Sequence, residues 1–315
     1  MSTPLVPAPS MPEHVNTESS MTAQDAPSSL GPVPDPAPAI SAPAAPARPA
    51  GSSLGQLVDE TPDAMTLHTQ DAYRMFTGRA ADPVSNAPPI PGGRRFAAVL
   101  RAIWYLSAND NPYADWILIR VYQSLSGIRS QMGQVIEARE AEFERLRRRG
   151  LALSVLASRS PVTVELGFRS PYGYATAEAI VEFDYHVRMV KTLVLKDRMS
   201  DEAGRAEIRA IGRGLRALFL EPIRWERNLL REEMLPLSRR DFLPGADEAA
   251  RQRVRAAAAL FGELPRKVFT GEEVPRHSQR RVTPTAAELR LMQQVSLGAV
   301  AFEIAGDPEF RQGSI

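Results

Sequence analysis

Residues able to do acid–base, metal or nucleophilic chemistry are few and scattered in this chain of 315 residues. Cysteine is absent, which excludes a disulfide framework, a thiolate metal site and a thiol nucleophile. The four histidines, His14, His68, His186 and His277, lie far apart, and none has a second histidine at zinc-site spacing. No metal and no cofactor are therefore expected. Asp184 and His186 are two positions apart, so a helix points them in different directions, and they read as a surface pair rather than an acid–base dyad. Glu232-Glu233 reads as a solvated face, and Gly212-x-Gly214 as a site of close helix packing. A phosphate-cradling P-loop, a dinucleotide glycine pattern and a Gly-x-Ser-x-Gly elbow are all missing. The expectation is a binding protein, with neither an enzyme activity nor a small-molecule ligand.

Arginine is the residue type that offers binding chemistry. Of 38 basic residues only Lys191, Lys196 and Lys267 are lysine, and arginine is the better fork for phosphates and base edges. A GC-rich genome is the plainer account of abundant Arg, Ala and Pro together. The net charge of +1 averages two unlike parts: residues 1–65 carry seven acids and one base, leaving +7 on residues 66–315. That excess permits nucleic-acid binding without demanding it.

The element best suited to present such residues is a short strand. Val162, Val164, Leu166 and Phe168 alternate with Thr163, Glu165 and Gly167, the clearest strand pattern in the chain, over 161–168. Two amphipathic helices follow it. One, near 174–198, buries Ile180, Phe183, Val187, Val190 and Val194. The other, capped by Ser200, buries Ile208, Ile211, Leu215, Leu218 and Phe219, with Arg205, Arg209, Arg213 and Arg216 as an outer stripe. Strand, helix, helix is the order of a ribbon-helix-helix protomer, in which two chains pair strands and the ribbon enters the major groove. In that geometry Thr163 and Glu165 face the bases, flanked by Arg159 and Arg169, with Arg205 and Arg209 as further DNA contacts. On pattern alone an ordinary strand in an α+β core is the preferred account.

The rest of the chain is helical in pattern, giving a mainly α fold with a minor β element (α+β). Residues 1–65 hold 13 of the 27 prolines and no aromatic residue, and are expected to form a disordered acidic tail. A short capped helix follows His68-Thr69 and stops at Gly78. Phe96, Val99, Leu100 and Ile103 mark a helix that runs to about Leu106. Asn111-Pro112 then caps a helix expected to bury Trp116, Ile119, Leu125 and Ile128. A separate helix is expected at 132–149, a second strand at 151–156, and helices at 222–235, 247–262 and 285–304, the last opened by a Thr285/Glu288 capping box. The domain reading is a main helical domain at 66–264 containing the strand-helix-helix unit at 159–220, then a linker and C-terminal helix at 265–315. The N-terminus lacks a cationic start with an apolar core, and no run of about 18 apolar residues occurs. Cytoplasm, without membrane association, is expected.

Four segments carry a family likeness. They are Leu67-His68-Thr69-x-Asp71-Ala72-x-Arg74-x-Phe76-x-Gly78-Arg79, Asn109-Asp110-Asn111-Pro112-Tyr113-Ala114-Asp115-Trp116, Ser158-Arg159-Ser160-Pro161 and Ser170-Pro171-Tyr172-Gly173-Tyr174. In this order they resemble the integrating conjugative element protein family that includes the AcaB-like transcriptional regulators of conjugative plasmids. The likeness covers about 65–235. It implies a protein of a mobile element that serves conjugative transfer. In the AcaB-like branch it implies a DNA-binding regulator with a ribbon-helix-helix motif, acting on double-stranded DNA as a homodimer. The alternative is a non-enzymatic accessory or scaffold protein of the transfer machinery. Asp110, Asn111, Pro112, Tyr113, Asp115 and Trp116 form the most specific block, and a capped turn anchored by a buried Trp accounts for them structurally.

Overall fold

A computed structural model describes residues 61–82 and 86–297. The expected N-terminal tail lies outside these residues up to position 60, as does any helix beyond 297. The elements, in order, are β1 (Ala64–Leu67), α1 (Gln70–Thr77), α2 (Gly93–Ala108), α3 (Pro112–Arg148), β2 (Val162–Glu165), α4 (Pro171–Leu195), α5 (Asp201–Leu229), a 3-10 turn at Arg239–Phe242, α6 (Glu248–Phe261), α7 (Arg266–Thr270) and α8 (Ala286–Gln294). The fold is mostly helical with a small two-stranded antiparallel sheet, as the hydrophobic periodicity predicts.

Helices α2, α3, α4 and α5 pack on one another around Phe96, Leu100, Ile103, Leu118, Ile180, Phe183, Leu215 and Phe219. Phe96 and Phe219 meet with ring centroids 4.6 Å apart. Local caps begin these helices where the sequence places them. Thr69 accepts from Ala72 N, Asn111 from Tyr113 N and Ala114 N, and Ser200 from Ala203 N, while Thr285 and Glu288 form the reciprocal box. Each cap satisfies backbone N–H groups that the first turn leaves free.

Several expectations need correction. The helix read from Asn111-Pro112 and the separate one read at 132–149 are one helix, α3. Its distal half is held by ion pairs to neighbouring helices, Arg129 to Glu178 and Glu182 on α4 and Arg139 to Glu207 on α5, rather than by a deep apolar stripe. Trp116 and Ile128 are only half-buried, as are Val194 and Ile208. The helix read at 222–235 is the end of α5, which runs through Pro222 to Leu229. Packing of Leu218, Phe219 and Leu229 outweighs the hydrogen bond that the proline removes. Segment 151–156 is no strand; its end is tied to α4 by Leu156 N to Thr192 Oγ1 and by Arg188 Nε to Leu156 O. The linker read from 265 holds α7, whose Val268 and Phe269 are buried.

The strand read at 161–168 is regular over Val162–Glu165, and its partner is β1 of the same chain. The register pairs Ala64 with Glu165, Met65 with Val164, Thr66 with Thr163 and Leu67 with Val162. Ala64 and Met65, inside the segment read as tail, therefore belong to the fold. No second copy is needed to make this ribbon.

Candidate nucleic-acid interface

Alternation sorts the ribbon's side chains. Met65 and Leu67 are buried and Val164 half-buried against the helices, so Ala64, Thr66, Thr163 and Glu165 form the exposed outer face. Thr66 and Thr163 stand opposite each other, Oγ1 to Oγ1 at 3.4 Å. Leu166 N donates to Asp63 O at 2.7 Å, extending the ladder by one bond, and Tyr174 Oη donates to Asp63 Oδ2 at 2.6 Å. The inner face rests on α4. The ribbon is thus a pedestal carrying two hydroxyls and a carboxylate outward.

Arg159 and Arg169 lie exposed just before and after β2. Glu165 and Arg169 also line a groove against α2, together with Arg94 and Arg101. Arg205 and Arg209 are exposed on α5, but Arg205 lines a different groove, with Leu156, Val190 and Ile208, that no ribbon residue enters. The structure therefore gathers Thr163, Glu165 and Arg169, puts Arg159 at the opposite end of β2, and leaves the α5 stripe on a separate surface. Sequence reasoning missed Thr66, because β1 is four residues long and its partner lies 97 positions away. It also missed Arg94 and Arg101, although their seven-residue spacing puts them on one helix face.

The Asp110–Trp116 block is a buried ionic knot. Asp110 adopts φ 66°, and Arg239, fully buried, donates from Nη1 to Asp110 Oδ1 at 2.8 Å and from Nη2 to Asp115 Oδ2 at 2.7 Å. Its remaining donors reach Phe269 O and Val268 O, both at 2.8 Å. Arg280 Nη2 adds a second contact to Asp115 Oδ2, and Ser107 donates to Asp115 Oδ1. Burial raises the Asp110 carboxyl above its ordinary pKa, with the two guanidinium groups acting in the opposite sense. The buried aromatic anchor is Tyr113 rather than Trp116. Its hydroxyl donates to Gly262 O at 3.0 Å, and burial pushes its pKa up. Asn111 caps α3 and Pro112 fills its first position. Asp110, Tyr113 and Asp115 thus fasten the start of α3 to Arg239, Gly262 and Arg280, while Asn111 and Pro112 act within the start of α3 itself and Trp116 is half-buried.

Asp184 and His186 are both buried, which corrects their reading as a surface pair. Asp184 Oδ1 accepts from His68 N, Thr69 N and Thr69 Oγ1, so it ties the link between β1 and α1 to α4. His186 has no hydrogen-bond partner on either nitrogen. Among the described residues no cluster of His, Cys, Asp and Glu is arranged to hold a metal ion, and no helix is long and apolar enough to cross a membrane.

Comparison with known proteins gives one family and one structure. The crystal structure of selenomethionine-containing AcaB from uropathogenic E. coli is similar at 15% identity, covering 74% of this chain and 97% of that one, with a TM-score of 0.40. A search of curated proteins finds no match. The family model described as Transcriptional regulator AcaB matches residues 53–281, more than two thirds of the chain and every element from β1 to α7. The chain belongs to the AcaB family of transcriptional regulators.

Proposed function

We propose that the protein is a sequence-specific DNA-binding regulator of conjugative-transfer genes, reading double-stranded DNA with the outer face of its β1–β2 ribbon. The observation that carries this reading is that ribbon: two antiparallel strands with Thr66, Thr163 and Glu165 exposed outward and arginines at both ends of β2. A two-stranded ribbon is of a size that the major groove admits. Threonine suits a thymine methyl and a carboxylate accepts from the cytosine amine, so these side chains match base edges rather than phosphates. Arg159 and Arg169 are placed to reach guanine edges or the flanking backbone. Arg205 and Arg209, on another face, add to the attractive field without touching the same bases. A homodimer, with one intrachain ribbon per protomer, reads two half-sites.

Family membership supports regulation, and the likeness in the four segments described above supports the conjugative setting. The test is fluorescence anisotropy of the full chain with promoter fragments of the transfer genes beside its own gene. Submicromolar binding that weakens steeply with salt is expected, since phosphate contacts release counterions. No binding to any such fragment at low salt would contradict the reading.

A further inference from the structure

Between α2 and the turn from β2 into α4 runs a groove of about 410 Å³. Its α2 wall is built from Arg94, Ala97, Ala98 and Arg101, the i, i+3, i+4, i+7 positions of one helical face. The alanines keep the floor open and the arginines stand at either end. About 10 Å of helix axis separates them, the rise of about three successive phosphates along one DNA strand. Arg169 joins them from the opposite wall.

None of these three guanidinium groups makes an ion pair with a carboxylate among the described residues, a state shared by other surface arginines; what sets them apart is that one groove brings them together. Their neighbour Arg95 is held instead by Glu226. The groove contains one acid, Glu165, at its ribbon end, so its side chains sum to a positive charge. Ser170, the N-cap of the 25-residue helix α4, also lines it. That serine is only 5% exposed, and its hydroxyl makes neither a capping bond nor any other hydrogen bond. A hydroxyl without a capping bond at the positive end of a long helix dipole, in one groove with three arginines that make no ion pair, is an arrangement that receives an anionic oxygen.

We propose that this groove grips the phosphodiester backbone of the DNA whose bases the ribbon reads. Arg94 and Arg101 contact phosphates along one strand, and Arg169 with Ser170 holds a phosphate at the start of α4. The proposal rests on the DNA-binding reading above and adds where the backbone lies. It also gives Glu165 a role, since a carboxylate at the ribbon end repels the backbone there and leaves that position to a base.

Backbone contacts carry no sequence information, so the test uses the full chain and a short mixed-sequence duplex, with anisotropy measured across a series of salt concentrations. Each phosphate contact contributes about 0.9 to the slope of log K against log salt. The double variant Arg94→Ala/Arg101→Ala is expected to flatten the slope by about 2, and Arg169→Ala by about 1. Arg147→Ala, which removes the same charge from an arginine paired with Glu144 on exposed α3, is expected to leave the slope unchanged. All four substituted arginines are exposed, so thermal unfolding of the variants should match the parent. A parental slope in the double variant, or equal flattening by Arg147→Ala, would overturn the groove proposal and leave the ribbon reading standing. Absence of salt-dependent binding by the parent chain would overturn both.

Discussion

Arg239 is the side chain on which the most distant parts of the sequence converge. It sits fully buried between Asp110 of the α2–α3 turn, Asp115 of the first turn of α3, and carbonyls of α7. Desolvating such a group is costly, so the knot is weak support for net stability, but removing one member strands the others without a partner. Arg239→Ala is therefore expected to lower unfolding free energy by about 3–5 kcal/mol, read by chemical denaturation. A loss under about 1 kcal/mol would show that the two carboxylates find other partners. His186 makes a second residue-scale prediction. Burial, reinforced by Arg139, lowers its pKa to about 4, and the nearest acid, Glu207, stays 3.8 Å away. The unfolded histidine titrates near 6.5, so the unfolded chain binds more protons between those values. Stability conferred by neutral His186 is then complete above pH about 6.5 and falls toward pH about 4, by up to about 1.4 kcal/mol per pH unit. His186→Leu is expected to lose less stability than the parent between pH 7 and pH 5. Parallel pH profiles for the two proteins would contradict that account.

At the scale of elements, the position of α2 depends on a crossing of two backbones. A Cβ on Gly92 would lie 2.3 Å from Gly78 N and 2.4 Å from Phe76 O, so the start of α2 rests directly on the end of α1. Gly92→Ala is expected to cost about 1–3 kcal/mol by overpacking and, by moving α2, to weaken mixed-sequence DNA binding through Arg94. An unchanged melting temperature would show that the crossing is pliable. Elements that were legible in the sequence are those set by neighbouring residues. Thr69, Asn111-Pro112, Ser200 and Thr285/Glu288 start helices by local bonds, and the strand pattern about Val164 reflects its own alternation. What could not be read depends on distant partners. The pattern reads as two helices parted just before 132, yet α3 continues through that point, where α4 and α5 supply countercharges. Ala64 and Met65 resemble the end of a tail until β2 pairs with them. The exposed hydroxyls and arginines of the candidate site leave no hydrophobic period at all, so only their placement around the ribbon brings Thr66, Arg94 and Arg101 into view.

At the scale of the whole molecule, the helices form a frame with one small sheet on its surface. The block Asp110 to Trp116 belongs to that frame through its ion pairs with Arg239, and in the reading proposed above recognition falls to residues around β1 and β2. Those residues divide into two chemistries. Threonines and a carboxylate on the ribbon suit base edges, while unpaired arginines in the adjoining groove suit phosphates. Substitutions in the two sets should therefore differ in kind: groove variants weaken all DNA alike, and ribbon variants erase the difference between target and other DNA. The most direct measurement is the ratio of affinities for a transfer-gene promoter fragment and a mixed-sequence duplex, at one salt concentration. It is compared between the parent and Thr66→Ala/Thr163→Ala. The parent should favour the promoter, and the double variant should lose about 1–3 kcal/mol of that preference while binding mixed-sequence DNA as before. An undiminished preference in the variant would contradict recognition through the ribbon face.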